Sequence, residues 1–105
     1  MIELPQSPET EAAVIAAWFS QEKFAAAWRP TPTLFAGVTN RVLVEAMAEL
    51  SLATRDQVSL AAVLATRGSL ERVGGTQGVF RAINLAPSVG DPWPHVERLT
   101  RYAAL

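Results

Sequence analysis

The sequence predicts an all-α fold, a compact orthogonal bundle of about six short helices. Apolar residues recur at helical spacing along the chain, and no segment shows the sustained apolar–polar alternation that is typical of strands. Capping residues, prolines and glycines divide the chain into short helices. Because 105 residues match the size of one domain and 50% of them are hydrophobic, residues 1–105 are expected to form a single domain with its own core.

The first predicted helix begins at Ser7, which can cap it, and has Pro8 in its first turn, where an N–H would lack a partner anyway. Glu9 and Glu11 follow, and both are expected to face the positive end of the helix dipole. The apolar face of this helix has helical spacing and consists of Val14, Ala17 and Trp18.

Two further helices are predicted in the first half of the chain. Ser20 is expected to cap a short second helix that carries Phe24 and Trp28 and ends at Pro30. The third helix is predicted from about residue 34 to residue 52. Its buried stripe comprises Val38, Val42, Leu43, Ala46, Met47 and Leu50. Its exposed side comprises Arg41, Glu45 and Glu49, of which Arg41 and Glu45 have the spacing of a surface ion pair.

The fourth predicted helix contains the sequence LAAVLATR and precedes a glycine-rich stretch. Ser59 is expected to cap its start, and Val58 and Val63 have the spacing of a hydrophobic staple. Gly68 stands where a helix commonly ends in the left-handed conformation. The fourth helix is therefore predicted to end at a glycine cap.

The stretch RGSLERVGG, residues 67–75, is predicted to be a tight corner between two helices. It lacks the lysine that a phosphate-binding loop requires, and its apolar residues Leu70 and Val73 are expected to insert into the core. Gly74 and Gly75 are expected to adopt positive φ before Thr76 caps the next helix. The glycines are thus explained by backbone conformation rather than by ligand binding.

The last two predicted helices complete the bundle. The apolar face of the fifth comprises Val79, Phe80 and Ile83, and Pro87 closes this helix. Asp91 is expected to cap the sixth, with Pro92 and Pro94 in its first turn. The buried edge of the sixth helix comprises Val96, Leu99 and Ala103.

Composition excludes several classes of protein. The formal net charge of −1 disfavours direct binding to nucleic acid, and the absence of cysteine excludes disulfides and thiolate metal sites. The N-terminal sequence MIELPQSPETE is too acidic and too poor in apolar residues for a signal peptide, and no apolar run reaches the length of a transmembrane helix. The sequence therefore predicts a cytoplasmic protein that does not associate with membranes.

No constellation of reactive residues is recognisable. His95 is the only histidine and has no neighbouring carboxylate pair, so it is interpreted as a structural residue rather than a metal ligand or a base. The glycines of GGTQG lack the spacing and the preceding strand of a dinucleotide loop, and no Walker A motif is present. Trp18 and Trp28 are assigned to the core, and Trp93, between two prolines, to a more exposed position. The chain is accordingly expected not to be an enzyme by itself and to bind no cofactor or metal.

Five arginines in the second half of the chain leave two interpretations open. They are Arg67, Arg72, Arg81, Arg98 and Arg101. If they converged, they would form a basic patch able to bind nucleic acid, whereas dispersed arginines would only solvate the surface. The overall charge favours the second interpretation.

The order of several motifs resembles the N-terminal domain of DnaB-type replicative DNA helicases. The resemblance is collinear from Leu4 to about Ala103, and its most specific part is a helix, an arginine–glycine turn, the pattern Leu-Glu-x-Val-Gly-Gly and another helix. The matching positions are Pro5, Glu9, Glu11 and Ala12 at the start, Phe35, Arg41, Glu45, Ala46 and Met47 in the third helix, and Leu70, Glu71, Val73, Gly74 and Gly75 at the corner.

The resemblance implies a non-catalytic helical head that takes part in DNA replication by protein–protein interaction. In that family the head is followed by a helical hairpin and an ATP-hydrolysing motor, and heads and hairpins build a collar that receives the primase. The partners implied are therefore primase and helicase subunits, with at most a weak homodimer for the isolated head. ATP and magnesium belong to the motor, so none of their binding residues is assigned to this chain.

The chain also departs from the family pattern. Asn40 stands where the family usually has histidine, and Gly78 where it usually has tyrosine. Glycine within a helix costs about 1 kcal/mol relative to alanine, a cost that close approach of a neighbouring group would explain. The residues assigned to a partner interface are Gly75, Gly78, Phe80 and Arg81.

Two other functions remain open on sequence grounds. One is a short stand-alone homologue that regulates a replisome by competing for primase or for helicase subunits. The other is a small nucleic-acid-binding helical domain that uses the arginines near the glycine corner.

Overall fold

The computed structural model describes residues 8–84 and 90–104, and within these residues the fold is all-α, as the sequence predicts. The described residues form six helices: α1 (Pro8–Ser20), α2 (Glu22–Ala27), α3 (Val38–Met47), α4 (Gln57–Thr66), α5 (Gly75–Asn84) and α6 (Trp93–Ala103). Two 3₁₀ turns, Pro32–Leu34 and Glu71–Val73, lie between them. The Cα radius of gyration is 13.0 Å, the value expected for a compact domain of this length.

Helix α1 is the centre of the bundle. Every residue from Ala13 to Trp18 is buried, because α1 packs against α2, α3, α5 and α6 and so has neighbours on most of its circumference. The predicted face of Val14, Ala17 and Trp18 is confirmed as core. The predicted cap Ser7 lies outside the described residues.

The starts of α2 and α3 both differ from the prediction. Ser20 does not cap α2; it is the last residue of α1, and its hydroxyl donates to the carbonyl of Ala16 at 2.9 Å. Helix α3 is shorter than predicted and occupies Val38–Met47 only. Before α3, Phe35 and Gly37 have extended backbone conformations, and the Phe35 ring of this segment is buried in the core.

The stripe predicted for α3 is confirmed for Val42, Leu43, Ala46 and Met47, which are buried, and for Leu50, which packs partly against the core after the helix ends. Val38 is an exception and is 71% exposed, because it begins the helix instead of lying within it. The predicted Arg41–Glu45 pair is also wrong. Arg41 Nε instead donates to the Phe35 carbonyl at 3.0 Å, and Glu45 binds Arg67.

Helix α4 starts earlier than predicted. Asp56, not Ser59, is the N-cap, and its carboxylate accepts the backbone N–H of Ser59 at 2.7 Å. The start of α4 also excludes the predicted staple, since Val58 is inside the first turn and 79% exposed. Val63 does pack partly against the core.

The Asp56 cap leads to a prediction about pH. Its hydrogen bonds to Ser59 hold the pKa of Asp56 below its ordinary value, so the folded state favours the carboxylate. The resulting stabilisation is complete above the pKa of the unfolded aspartate and is lost as the pH falls through the lowered pKa of the folded state. We expect Asp56→Ala to lower the urea midpoint at neutral pH and the deficit to shrink in strong acid. Asp56→Ser keeps a neutral cap, so its urea midpoint should change less between neutral and acid pH than that of the wild type. Equal dependence of the midpoint on pH for the wild type and for Asp56→Ala would contradict this prediction.

In α5 and α6 most of the residues predicted to be buried are buried, whereas the predicted capping residues agree less well with the structure. Val79, Val96 and Leu99 are buried, whereas Ala103 is exposed and does not belong to the buried edge. Thr76 does not cap α5, because the helix already begins at Gly75. The N-cap of α6 is Pro92 and not Asp91, although the Asp91 carboxylate accepts the N–H of Trp93, the first residue of α6, at 3.0 Å. Pro87 lies outside the described residues.

Candidate interaction surface

The glycine corner between α4 and α5 determines where α5 lies. Gly68 has φ +70° and ends α4 as predicted. Its N–H donates to the Ala65 carbonyl at 3.0 Å and the Ser69 N–H to the Leu64 carbonyl at 2.8 Å, which together form a Schellman motif. Val73 is buried and Leu70 packs partly against the core, so both apolar residues of the corner act as predicted.

The three glycines that follow bring α5 close to the corner. Gly74 and Gly75 have φ values of +92° and +70°, as predicted. Gly78, one turn into α5, has room for no side chain: a Cβ there would lie 1.8 Å from the Val73 carbonyl oxygen. This contact explains the glycine that interrupts the helix, because any larger residue would push α5 away from the corner.

The exposed face of α5 comprises Gln77, Phe80, Arg81 and Asn84, residues spaced by three and four positions. Phe80 was predicted both for the apolar face and for a partner interface; it is 45% exposed, so it does not lie in the core with Val79. The structure thus places Phe80 and Arg81 at exposed positions of α5. Gly75 and Gly78, the other two residues assigned to an interface, lie in the first turn of α5, where Gly78 contacts the corner at Val73.

Two of the five arginines considered for a basic patch are paired with carboxylates. Arg67 binds Glu45 at 3.3 Å and also Glu49, and Arg101 binds Glu97 at 3.3 Å along α6. These pairs reduce the positive potential that the arginines present to a nucleic acid. They favour the interpretation in which the arginines are dispersed, solvated surface residues.

A buried carboxylate joins α1 to the start of α3, and it was not predicted. Glu11 lies in the first turn of α1 and is 1% exposed. It accepts the N–H of Ala36 at 2.9 Å, the N–H of Gly37 at 3.3 Å and the side-chain amide of Asn40 at 2.9 Å. The arrangement places a negative group at the positive end of α3, which stabilises the close packing of the two helices.

A cleft beside α2 was also missed by sequence reasoning. It has a volume of about 340 Å³ and lies between the C-terminal part of α2 and the turn that follows α3. Its lining residues, called the tryptophan cleft below, are Trp18, Ala25, Ala26, Trp28, Arg29, Pro30, Ala48, Leu50 and Leu52. Trp18 and Trp28 are buried, as predicted, but they also form the wall of this cleft.

Trp93, which the sequence assigns to a more exposed position, is the first residue of α6. Trp93 is partly exposed, as expected, and its ring packs edge-on against Phe24 with centroids 5.1 Å apart. Across residues 8–84 and 90–104, no group of three or more His, Cys, Asp or Glu residues has a geometry that would hold a metal ion. None of the helices in that part of the chain is long and apolar enough to cross a membrane.

The chain matches no protein-family description, no curated protein and no solved structure.

Proposed function

We propose that this chain is a non-catalytic protein-interaction module of a replicative DNA helicase, acting in collar assembly and primase docking. The proposal rests on the ordered sequence motifs that resemble the N-terminal head of that family. The observation that carries it furthest is the accessible face of α5, where Phe80 and Arg81 lie next to a glycine corner of defined geometry.

The chemistry of this face suits recognition of another protein. Phenylalanine and arginine are both enriched at protein–protein interfaces, and α5 exposes one of each at consecutive positions. The corner fixes the helix that presents both side chains, so little conformational entropy would be lost on binding. An interface based on a single short helix is expected to be small and transient.

Calorimetric titration of the chain with the C-terminal domain of the primase from the same genome tests the proposal. We expect binding, weakened about tenfold or more by Phe80→Asp and by Arg81→Glu. Arg98→Glu, an exposed charge reversal on α6, is the matched control and should bind as the wild type does. Absence of binding to the primase domain, together with absence of binding to the helicase ring, would overturn the proposal.

A titration with single- and double-stranded DNA over a range of salt concentrations separates this proposal from nucleic-acid binding. The proposed interaction module should show no affinity for DNA at moderate salt. Binding that weakens steeply with added salt would instead assign the arginines to phosphate contacts.

A further inference from the structure

The tryptophan cleft combines an apolar wall with an unpaired cation. Two indole rings, two leucines, a proline and three alanines line it together with Arg29. Arg29 is exposed and forms no ion pair with any residue that the structure describes, and none of the described lining residues is acidic. The cleft therefore complements an apolar group that carries a negative charge.

Trp18, one of the lining residues, has a polar atom without a partner among the described residues. The Nε1 atom of Trp18 is buried and donates to no acceptor among the described residues. A buried donor without an acceptor is costly, so native proteins seldom retain one without a reason. Trp18 therefore carries a hydrogen-bond donor that no described residue satisfies.

The shape of the cleft favours a segment of a protein over a free small molecule. Sites for small ligands enclose most of the ligand surface. Here Ala26, Arg29, Ala48 and Leu52 remain exposed around the rim, so an occupant would be covered on one side only. A cleft that covers its occupant on one side is sufficient to bind a single apolar side chain of a partner protein.

We propose that the tryptophan cleft docks a partner-protein segment in which a large apolar side chain adjoins an acidic residue. The apolar side chain contacts Trp18, Trp28 and Leu50, and the carboxylate pairs with Arg29. This inference is independent of the proposed function, because the cleft and the exposed face of α5 share no residue.

The test uses the full chain labelled with ¹⁵N and the blocked dipeptide acetyl-leucyl-glutamate amide as probe. The chain has three tryptophans, so the indole N–H signals of Trp18 and Trp28 report on the cleft and that of Trp93 serves as an internal control. We expect the first two signals to shift with half-saturation at about 1 to 10 mM, the range of a small, partly covered ligand. The Trp93 signal should not move.

Matched probes and variants decide the outcome. Acetyl-leucyl-glutamine amide should bind about fivefold more weakly, and acetyl-glycyl-glutamate amide should not bind in this range. Arg29→Glu should weaken binding of the leucyl-glutamate probe, whereas Lys23→Glu, an exposed charge reversal on α2, the helix that precedes Arg29, should not. No shift of the Trp18 and Trp28 signals, or equal shifts with an acetyl-leucyl-lysine amide probe, would overturn the proposal. Neither result would bear on binding through Phe80 and Arg81.

Discussion

Replacing Gly78 with alanine is expected to lower the free energy of unfolding by at least about 3 kcal/mol. Alanine is the better helix former by about 1 kcal/mol, so propensity alone predicts the opposite sign. The steric term is larger, because the new Cβ would lie 1.8 Å from the Val73 carbonyl oxygen and 2.8 Å from its carbon. Both are backbone atoms, so relief requires α5 or the 3₁₀ turn at Glu71–Val73 to move.

Urea denaturation followed by circular dichroism measures this effect. Gln77→Ala is the matched control, since Gln77 precedes Gly78 in α5 and is exposed; its change should stay within about 0.5 kcal/mol. A Gly78→Ala variant as stable as the wild type would show that α5 does not approach the corner as closely as described.

Removing the carboxylate of Glu11 is expected to have the second large effect. Glu11→Ala should cost about 3 to 5 kcal/mol, because the N–H groups of Ala36 and Gly37 and the amide of Asn40 would lose their common acceptor. Glu11→Gln keeps the volume but turns an NH₂ group toward donors, and we expect a loss of about 2 to 3 kcal/mol.

The same denaturation experiment provides the comparison. Glu9→Gln removes a carboxylate from the exposed side of the same helical turn and should change the free energy of unfolding by less than about 0.5 kcal/mol. Equal effects of Glu9→Gln and Glu11→Gln would mean that charge near the start of α1, and not the buried hydrogen bonds to α3, accounts for the loss.

Features that depend on local backbone chemistry could be predicted from the sequence. Gly68, Gly74 and Gly75 adopt positive φ as expected, because only glycine does so without steric cost. The helical class and most of the core residues also follow from periodicity, since an apolar stripe must be buried wherever the helix packs.

Helix starts were harder to predict because several residues competed for the same role. Asp56 and Ser59 are both good caps, and the choice of Asp56 moved the start of α4 and exposed Val58. In the same way α5 starts at Gly75, one residue before Thr76. A difference of one to three positions in a helix start changes which side chains face the core.

The two features with no signal in the sequence depend on contacts between distant residues. Glu11 and Asn40 are separated by 29 positions, and nothing near Glu11 indicates that its carboxylate will lie at the start of another helix. The tryptophan cleft likewise needs α1, α2 and the turn after α3 to assemble first.

The central claim is that this helical domain acts through the surface of α5, and chemical-shift mapping tests it most directly. The ¹⁵N-labelled chain is titrated with the unlabelled C-terminal domain of the primase from the same genome. The account predicts amide shifts centred on Phe80 and Arg81 and absent from the Phe80→Asp variant. Unchanged spectra at saturating primase domain, or shifts confined to residues remote from α5, would contradict it.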